Sequence, residues 1–310
     1  MPLREKIGAW VRLSRCPLVI LSFISYGLGA AIAYTTSQRF DPRVYALGYI
    51  CLLLIEVNTV FLNEYFDYPT DRLNQNIGPF NAGSRVLVEG KLGFDDVRRA
   101  VLLICGLIVV FGYLLIRAAP HVPLRYILSL AVVSIFFCWG YTTPPIKLSY
   151  RTLGEATDGL MHGPAAILAG FMLQTGDWAN LLPWLLSIPT FLTTFVAATL
   201  GATPDYRADA AVARRTIPVV FGPRRAVILS IWVNALAAVA CVTLWFFKLI
   251  PNPVGIAIVI VVLFVVIFDR GLLKLIKTDD YDHPINELMR LSLVYMILVG
   301  LIPLLAFIWG

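Results

Sequence analysis

Apolar runs close to 20 residues long recur along this 310-residue chain. An α-helix needs about that length to cross the roughly 30 Å hydrocarbon core of a bilayer. The runs fall at roughly 17–36, 44–62, 99–117, 124–141, 158–174, 181–200, 226–247, 252–269 and 289–309. Lipid offers no partner for a backbone amide or carbonyl, so a spanning run of this kind must be helical. Composition agrees. Only 14% of residues are charged and mean hydropathy is +0.79, whereas soluble domains carry about 25% charged residues. The expectation is an all-α integral membrane protein with nine transmembrane helices, folded as a single domain over 1–310.

Charge placement tests that number. Nine spans put the N-terminus and the loops after spans 2, 4, 6 and 8 on one side. That side holds twenty of the 25 lysines and arginines, and the other keeps Arg39, Arg43, Arg117, Arg125 and Lys248. Basic residues favour the cytoplasmic side, which predicts a cytoplasmic N-terminus and a C-terminus on the opposite side of the cell membrane. The net charge of +6 then reflects anchoring to anionic lipid head groups and calls for no nucleic acid partner. Cys16, Cys51, Cys105, Cys138 and Cys241 are scattered through the spans with no CxxC pair. They read as small apolar residues. The first apolar run continues well past signal-peptide length, so no cleavable signal is expected.

Where the second span ends, the sequence is NEYFDYPTDRLNQN, residues 63–76. Asn63, Asp67 and Asp71 are four apart, which on one helix stacks three oxygens along one face. Two carboxylates stacked this way repel each other unless a cation lies between them. After the sixth span comes LGATPDYRADAAVARRTIPVVFG, with Asp205 and Asp209 again four apart and arginines following. The two motifs lie about half a chain apart, so the halves near 1–150 and 151–310 read as a pseudo-repeat. The position equivalent to Asn63 is Gly201, one oxygen fewer. A single DxxxD on an emerging helix is usually a solvated face or a dipole partner. Two on one membrane side point to Mg²⁺, which takes hard oxygen ligands and shares them with a substrate phosphate. On this reading the positive charge between Asp67 and Asp71 is magnesium, and metal plus cations stabilise a leaving diphosphate.

These residues resemble the UbiA superfamily of membrane prenyltransferases. Asn63, Asp67 and Asp71 match its NxxxDxxxD, and Asp205 and Asp209 with ARRTIPVVFG match its second DxxxD and trailing stretch. YTTPPIKLSYRTLGE (141–155) is similar to its Tyr-x-x-Pro-Pro-x-Lys-Leu loop, and LSRCPLV (13–19) to its Arg-x-Pro lead-in to the first span. GSRVLVEGKL and LGEATDGLMHGPAAILAGFMLQTGDW look most like the menaquinone branch, which prenylates 1,4-dihydroxy-2-naphthoate. The resemblance implies nine helices around a central cavity, capped by cytosolic loops. It further implies a prenyl diphosphate donor bound with Mg²⁺ between the motifs, and transfer to an aromatic or lipid-precursor acceptor. Archaeal-type glycerol-phosphate lipid synthesis is the nearest alternative. A CDP-alcohol phosphatidyltransferase would need a continuous DGxxAR-type stretch, which is missing. A transporter of anionic metabolites would place its charge near mid-membrane.

Asp205 and Asp209 fit either a second metal site or the acceptor's proton acceptor. Lys147, behind Pro144 and Pro145, reads as a phosphate grip or as a snorkelling lysine. Tyr141 reads as a diphosphate or cation contact, or as an interfacial tyrosine. Arg85, Lys91, Arg72 and Arg15 are further diphosphate candidates, with 78–92 as a cap over the site. Glu56, two turns before Asn63 within a span, reads as a residue of the cavity floor on the acceptor side or as a polar contact between helices. Asp158 and His162 read as a helix-start carboxylate and a structural histidine.

Overall fold

Two glycines set a very close helix crossing at the centre of the bundle. In the computed structural model, α2 (Val19–Ser37) crosses α8 (Ala166–Thr175). A Cβ on Gly29 would stand 1.9 Å from the Ile167 carbonyl oxygen, and one on Gly170 would stand 2.0 Å from that of Tyr26. In lipid, apolar surface gives helices little reason to associate, so backbone approach of this kind holds them together. The structure describes residues 3–15, 19–78, 80–251, 255–281 and 285–309. Cys16 and Pro17, part of the lead-in to the first span, lie outside them, as does Pro79 in the cap.

Among the described residues every regular element is helical. Six helices are long and apolar enough to cross a membrane: Ile20–Ser37 of α2, α3 (Pro42–Phe66), α5 (Phe94–Ala118), α9 (Leu181–Ala202), α12 (Pro223–Phe246) and α14 (Ile285–Trp309). The remaining expected spans fall on other helices. α6 (Leu124–Trp139) has 16 residues, and α13 (Gly255–Thr278) has 24. The fifth expected span is a composite of α7 (Gly154–Leu160), a π turn (Met161–Ala165) and α8, and it starts at Gly154 rather than 158. Pro164 inside the π turn has no N–H to give, so the ladder slips there to a wider turn.

Polarity is sorted as lipid demands. α5 turns Leu102, Leu103, Val109 and Val110 outward. In water that surface would aggregate, whereas in hydrocarbon it is solvated. α9 instead faces inward and is rich in threonine. Thr193, Thr194, Thr199 and Thr203 each give their hydroxyl to the carbonyl four residues back, which satisfies them without a partner helix. One apolar cluster joins α9, α12, α13 and α14 through Leu200, Val227, Phe268, Leu272 and Tyr295. Another joins the short α1 (Leu3–Leu13) to α3, α5 and the 78–92 segment through Leu13, Phe61, Val86, Leu87 and Val97. The expected cap is therefore a packed element with its own core.

Candidate active site

Each aspartate motif straddles a break between two helices, and a proline makes each break. This corrects the single-helix stacking expected from spacing alone. α3 ends at Phe66, Asp67 is the joint, and Asp71 lies in α4 (Tyr68–Leu73). Pro69 cannot donate to a carbonyl four residues back, so α3 cannot continue. After α9, Pro204 does the same, and Asp205 caps α10 (Tyr206–Ala211), which contains Asp209. The four-residue hydrogen bonds survive where they matter. Asp67 N reaches Asn63 O at 2.8 Å, Asp71 N reaches Asp67 O at 2.9 Å, and Asp209 N reaches Asp205 O at 2.9 Å.

The cation between the two motifs is Arg214. Its Nη1 lies 3.0 Å from Asp67 Oδ2 and 3.7 Å from Asp209 Oδ1, with the side chain only 17% exposed. Ala213 adopts φ +58°, which reverses the chain so that Arg214 N bonds Asp209 O at 2.9 Å. Tyr150 gives its hydroxyl to Asp67 Oδ1 at 3.0 Å. Both cations near this ring use its face: Lys147 Nζ stands 4.1 Å from the Tyr150 centroid and the Arg214 guanidinium 5.6 Å. Asn63 Oδ1 accepts from Thr142 at 2.8 Å, and Asp205 Oδ1 accepts from Asn74 at 2.7 Å.

The 78–92 segment closes over both motifs. The Ala82 amide donates to Asp205 Oδ2 at 3.3 Å, and Arg85 donates to the backbone carbonyl of Asp71. Gly83 lies so close to Asp71 that a Cβ there would stand 2.0 Å from Oδ2, and its φ is +65°. Only glycine fits that position. Glu64 pins the segment from below. It is 3% exposed and accepts from Ser84 N at 2.7 Å, Ser84 Oγ at 2.6 Å and Arg15 at 2.7 Å. Arg12 of α1 adds bonds to Ser84 O and Glu89, both at 2.6 Å.

The expected basic residues therefore divide. Arg15, Arg85 and Lys147 stand beside the carboxylates or their immediate partners. Arg72 is exposed, because one residue beyond Asp71 is about 100° around the helix. Lys91 is exposed and pairs with Glu89 at 2.7 Å. Neither is brought to the site. Tyr141 gives its hydroxyl to Asp158 Oδ2 at 3.1 Å, so it belongs to a deeper polar layer.

Crowding carboxylates away from water has a clear electrostatic result. Burial, reinforced by Glu64 and Asp67 and opposed by Arg15 and Arg214, pushes Asp71 up to about 8. Burial pushes Asp209 up to about 7 although Arg214 opposes it. Asp205 is also raised by burial, with Asn74 and the Ala82 amide working against the rise. One bridging guanidinium leaves this group short of positive charge.

The donor set suits Mg²⁺. Asn63, Asp67, Asp71, Asp205 and Asp209 offer only hard oxygens. Asp209 Oδ1, Thr70 Oγ1 and Asn81 Oδ1 are buried with no hydrogen-bond partner, as is the Arg214 Nε donor. Among the described residues no group of three or more His, Cys, Asp or Glu is placed to hold an ion alone.

Sequence reasoning missed four residues here. Arg214 was visible only as one of two adjacent arginines, and Tyr150 as one tyrosine of a loop. Glu64 sat beside Asn63 inside the motif itself. Glu155 accepts from the Ile217 amide at 2.7 Å, and so fixes the stretch that follows Arg214.

Known proteins agree with this architecture. A 1,4-dihydroxy-2-naphthoate octaprenyltransferase of Bacillus subtilis (strain 168) is 23% identical over 270 residues, covering 82% of each chain. A digeranylgeranylglyceryl phosphate synthase of Methanosphaera stadtmanae is 20% identical over 291 residues, covering 93% of this chain and 96% of its own. Among solved structures, a UbiA homologue from Archaeoglobus fulgidus bound to DMAPP and Mg²⁺ superposes with a TM-score of 0.62 at 17% identity. That match covers 94% of this chain and 98% of the homologue. The sequence pattern of the UbiA prenyltransferase family matches residues 22–308. With its all-helical, multi-pass membrane architecture, the chain belongs to the UbiA prenyltransferase family and is a prenyltransferase.

Proposed function

We propose that this chain transfers a prenyl group from a prenyl diphosphate to an aromatic, quinone-precursor acceptor, with Mg²⁺. The observation behind this is the meeting of two distant aspartate motifs around Arg214, with orphaned oxygens beneath a fitted cap. Asn63, Asp67, Asp71, Asp205 and Asp209 are the residues to hold Mg²⁺. When bound, the metal supplies positive charge to the diphosphate as the C1–O bond breaks.

The chain's own residues do the rest. Arg214 exchanges a carboxylate for phosphate oxygens, a bidentate match for its fork. Lys147 and Arg85 add positive charge, and Arg15 acts through Glu64 to hold the cap. Tyr150 holds Asp67 in place. Apolar helices exclude water from the allylic cation, which water would otherwise quench. The chain crosses the membrane nine times, with its N-terminus and both motifs on the cytoplasmic side. A glycerol-phosphate acceptor is the second reading, favoured by the Methanosphaera relative.

The test is diphosphate release with product masses, using purified protein in detergent, Mg²⁺ and geranylgeranyl diphosphate. Acceptors are 1,4-dihydroxy-2-naphthoate, 4-hydroxybenzoate and geranylgeranylglyceryl phosphate. A prenylated aromatic product that vanishes with EDTA is expected. Product from the glycerol-phosphate acceptor alone would overturn the acceptor assignment. Binding without diphosphate release from any donor would overturn prenyl transfer itself.

A further inference from the structure

A second polar group lies deeper in the bundle, where ionisable side chains are scarce and by default functional. Three elements build it. α3 contributes Glu56, seven residues before Asn63 and so about 10 Å deeper on nearly the same face. α2 contributes Ser22, which is 2% exposed. The π turn contributes His162, and such turns recur at functional sites. Ser22 Oγ lies 2.9 Å from His162 Nδ1, and Ser22 is also close enough to Glu56 to act on its carboxyl. Glu56 Oε2 is buried without a partner.

The surroundings narrow what this group can bind. Cys138 of α6 is in electrostatic reach of Glu56 and Asp158, and Tyr49 of α3 is in reach of Glu56. Asp158, one turn before His162, holds Tyr141. α9 packs on the π turn and has no ionisable residue. Arg214 is in electrostatic reach of Asp158. A hydroxyl suits this carboxyl and imidazole better than a second carboxylate or a phosphate, which would meet the like charge of Glu56 directly.

We propose that His162 is the base that takes the proton of the acceptor's ring hydroxyl, oriented by Ser22 and Glu56. The proposal deepens the prenyl-transfer reading and rests on it. In this arrangement the Glu56 carboxyl accepts from the Ser22 hydroxyl, and Ser22 Oγ accepts from His162 Nδ1–H. That fixes the tautomer and leaves Nε2 as a lone-pair acceptor. A base oriented by a carboxylate follows the logic of hydrolase triads, here with a hydroxyl between the two.

The atoms balance. The acceptor O–H bond breaks, its proton goes to Nε2, and the electron pair moves into the ring. A ring carbon bonds C1 of the donor while the C1–O bond breaks and its pair leaves on the diphosphate. The hydrogen on that ring carbon then moves as a proton to the oxygen, which restores the aromatic ring. One proton stays on His162. An aliphatic hydroxyl is too weak an acid for imidazole to ionise, so the subsite selects for aromatic acceptors.

The test uses the full chain in detergent with Mg²⁺ and geranylgeranyl diphosphate. It compares the aromatic acceptor that the parent prenylates with its ring-nitro analogue, whose hydroxyl is already ionised at pH 8. The variants are His162→Gln, Ser22→Ala and Glu56→Gln. His162→Gln should lose roughly 10²-fold in kcat on the ordinary acceptor, with the donor KM unchanged. On the ionised analogue the loss should shrink to a few-fold. Ser22→Ala and Glu56→Gln should follow the same pattern at about tenfold, the low side of a base's contribution. Equal losses on both acceptors, or none, would overturn the proposal. Should His162→Gln not fold, Ser22→Ala removes one hydroxyl only, and an acidity-independent result from it has the same force. A parent that prenylates only the glycerol-phosphate acceptor overturns this subsite but leaves prenyl transfer standing. A parent that releases no diphosphate fails at the earlier reading.

Discussion

The two aspartate motifs meet at Arg214, yet they are held in different ways. In the first, Asp67 receives a guanidinium and a tyrosine hydroxyl, while Asp71 lies under the cap against Gly83. In the second, Asp209 shares the same guanidinium at longer range, and Asp205 is held by neutral donors, Asn74 and the Ala82 amide. The first motif also has Asn63, where the second has Gly201. Asp67 therefore carries the charge link between halves, and Asp205 serves as the cap's latch. Equal spacing in sequence does not mean equal duty.

That asymmetry predicts the largest effect. Asp67→Ala removes a proposed metal ligand, frees Tyr150 and leaves Arg214 with one distant partner. Turnover should fall by at least ~10³-fold, as when a main electrostatic stabiliser is lost. Asp205→Ala removes a proposed ligand and a latch that water can partly replace, so a fall of about 10–10² is expected from a lost hydrogen-bonded carboxylate. Steady-state turnover of the two variants decides this. Equal losses would show that the motifs are interchangeable.

Arg214→Gln breaks the link from its other end. Removing one partner of a buried pair typically costs about 3–5 kcal/mol, and here it strands Asp67 and Asp209 together. Donor KM should rise by about 10–10² as a charge-assisted phosphate contact is lost. Added Mg²⁺ should recover much of the lost thermal stability, since the ion supplies the missing charge. A variant whose unfolding temperature ignores Mg²⁺ would place the metal somewhere other than between these carboxylates.

Acidity offers a subtler probe. Burial lifts Asp71 to about 8 and Asp209 to about 7, both above the ordinary carboxylate range. Between pH 4 and 8 the folded chain keeps protons that the unfolded chain has released, so without metal its stability falls as pH rises through that window. On the proposed reading, Mg²⁺ displaces those protons. Its affinity should then climb with pH, by up to ~10-fold per unit for each proton displaced, and level off above about 8. In EDTA the protein should melt lower at pH 8.5 than at 6.5, and saturating Mg²⁺ should close the gap. A metal affinity that does not change between pH 6 and 8 would mean that neither carboxylate binds it.

Much of the fold was legible because lipid leaves few options. A run of 20 apolar residues must be a helix, and the described helices overlie the expected spans, most within a few residues, with α13 running nine residues past its expected end. Interruptions were less legible. Pro69 and Pro204 sit inside their motifs in plain view, but four-residue spacing suggested unbroken helices, and both breaks were missed. The π turn at Pro164 was likewise hidden by an apolar pattern that looks the same for any helical period. At the site, the carboxylates announced themselves by spacing, whereas their cation did not. Arg214 reaches Asp67 only because Ala213 turns the chain back, and nothing local distinguishes Arg214 from Arg215. Long-range partners such as Glu64 and Ser84, or Ser22 and His162, depend on tertiary approach that no linear pattern records.

Gly201 allows the comparison to be sharpened with the smallest change. A Cβ there would stand 3.4 Å from the Met289 methyl, ordinary contact with the end of a flexible side chain, so the glycine is not required by packing. It lies in the last turn of α9, and replacing it with asparagine costs no helix propensity. Gly201→Asn would give the second motif the oxygen that the first has in Asn63. If motif strength is set by ligand count, Mg²⁺ should bind a few-fold more tightly, an effect below about 1 kcal/mol, and turnover should change little. If affinity is unmoved while folding is intact, the difference lies in Arg214 and the cap rather than in the number of oxygens. The same substitution in the Asp205→Ala background then decides how far an added amide can stand in for a lost carboxylate.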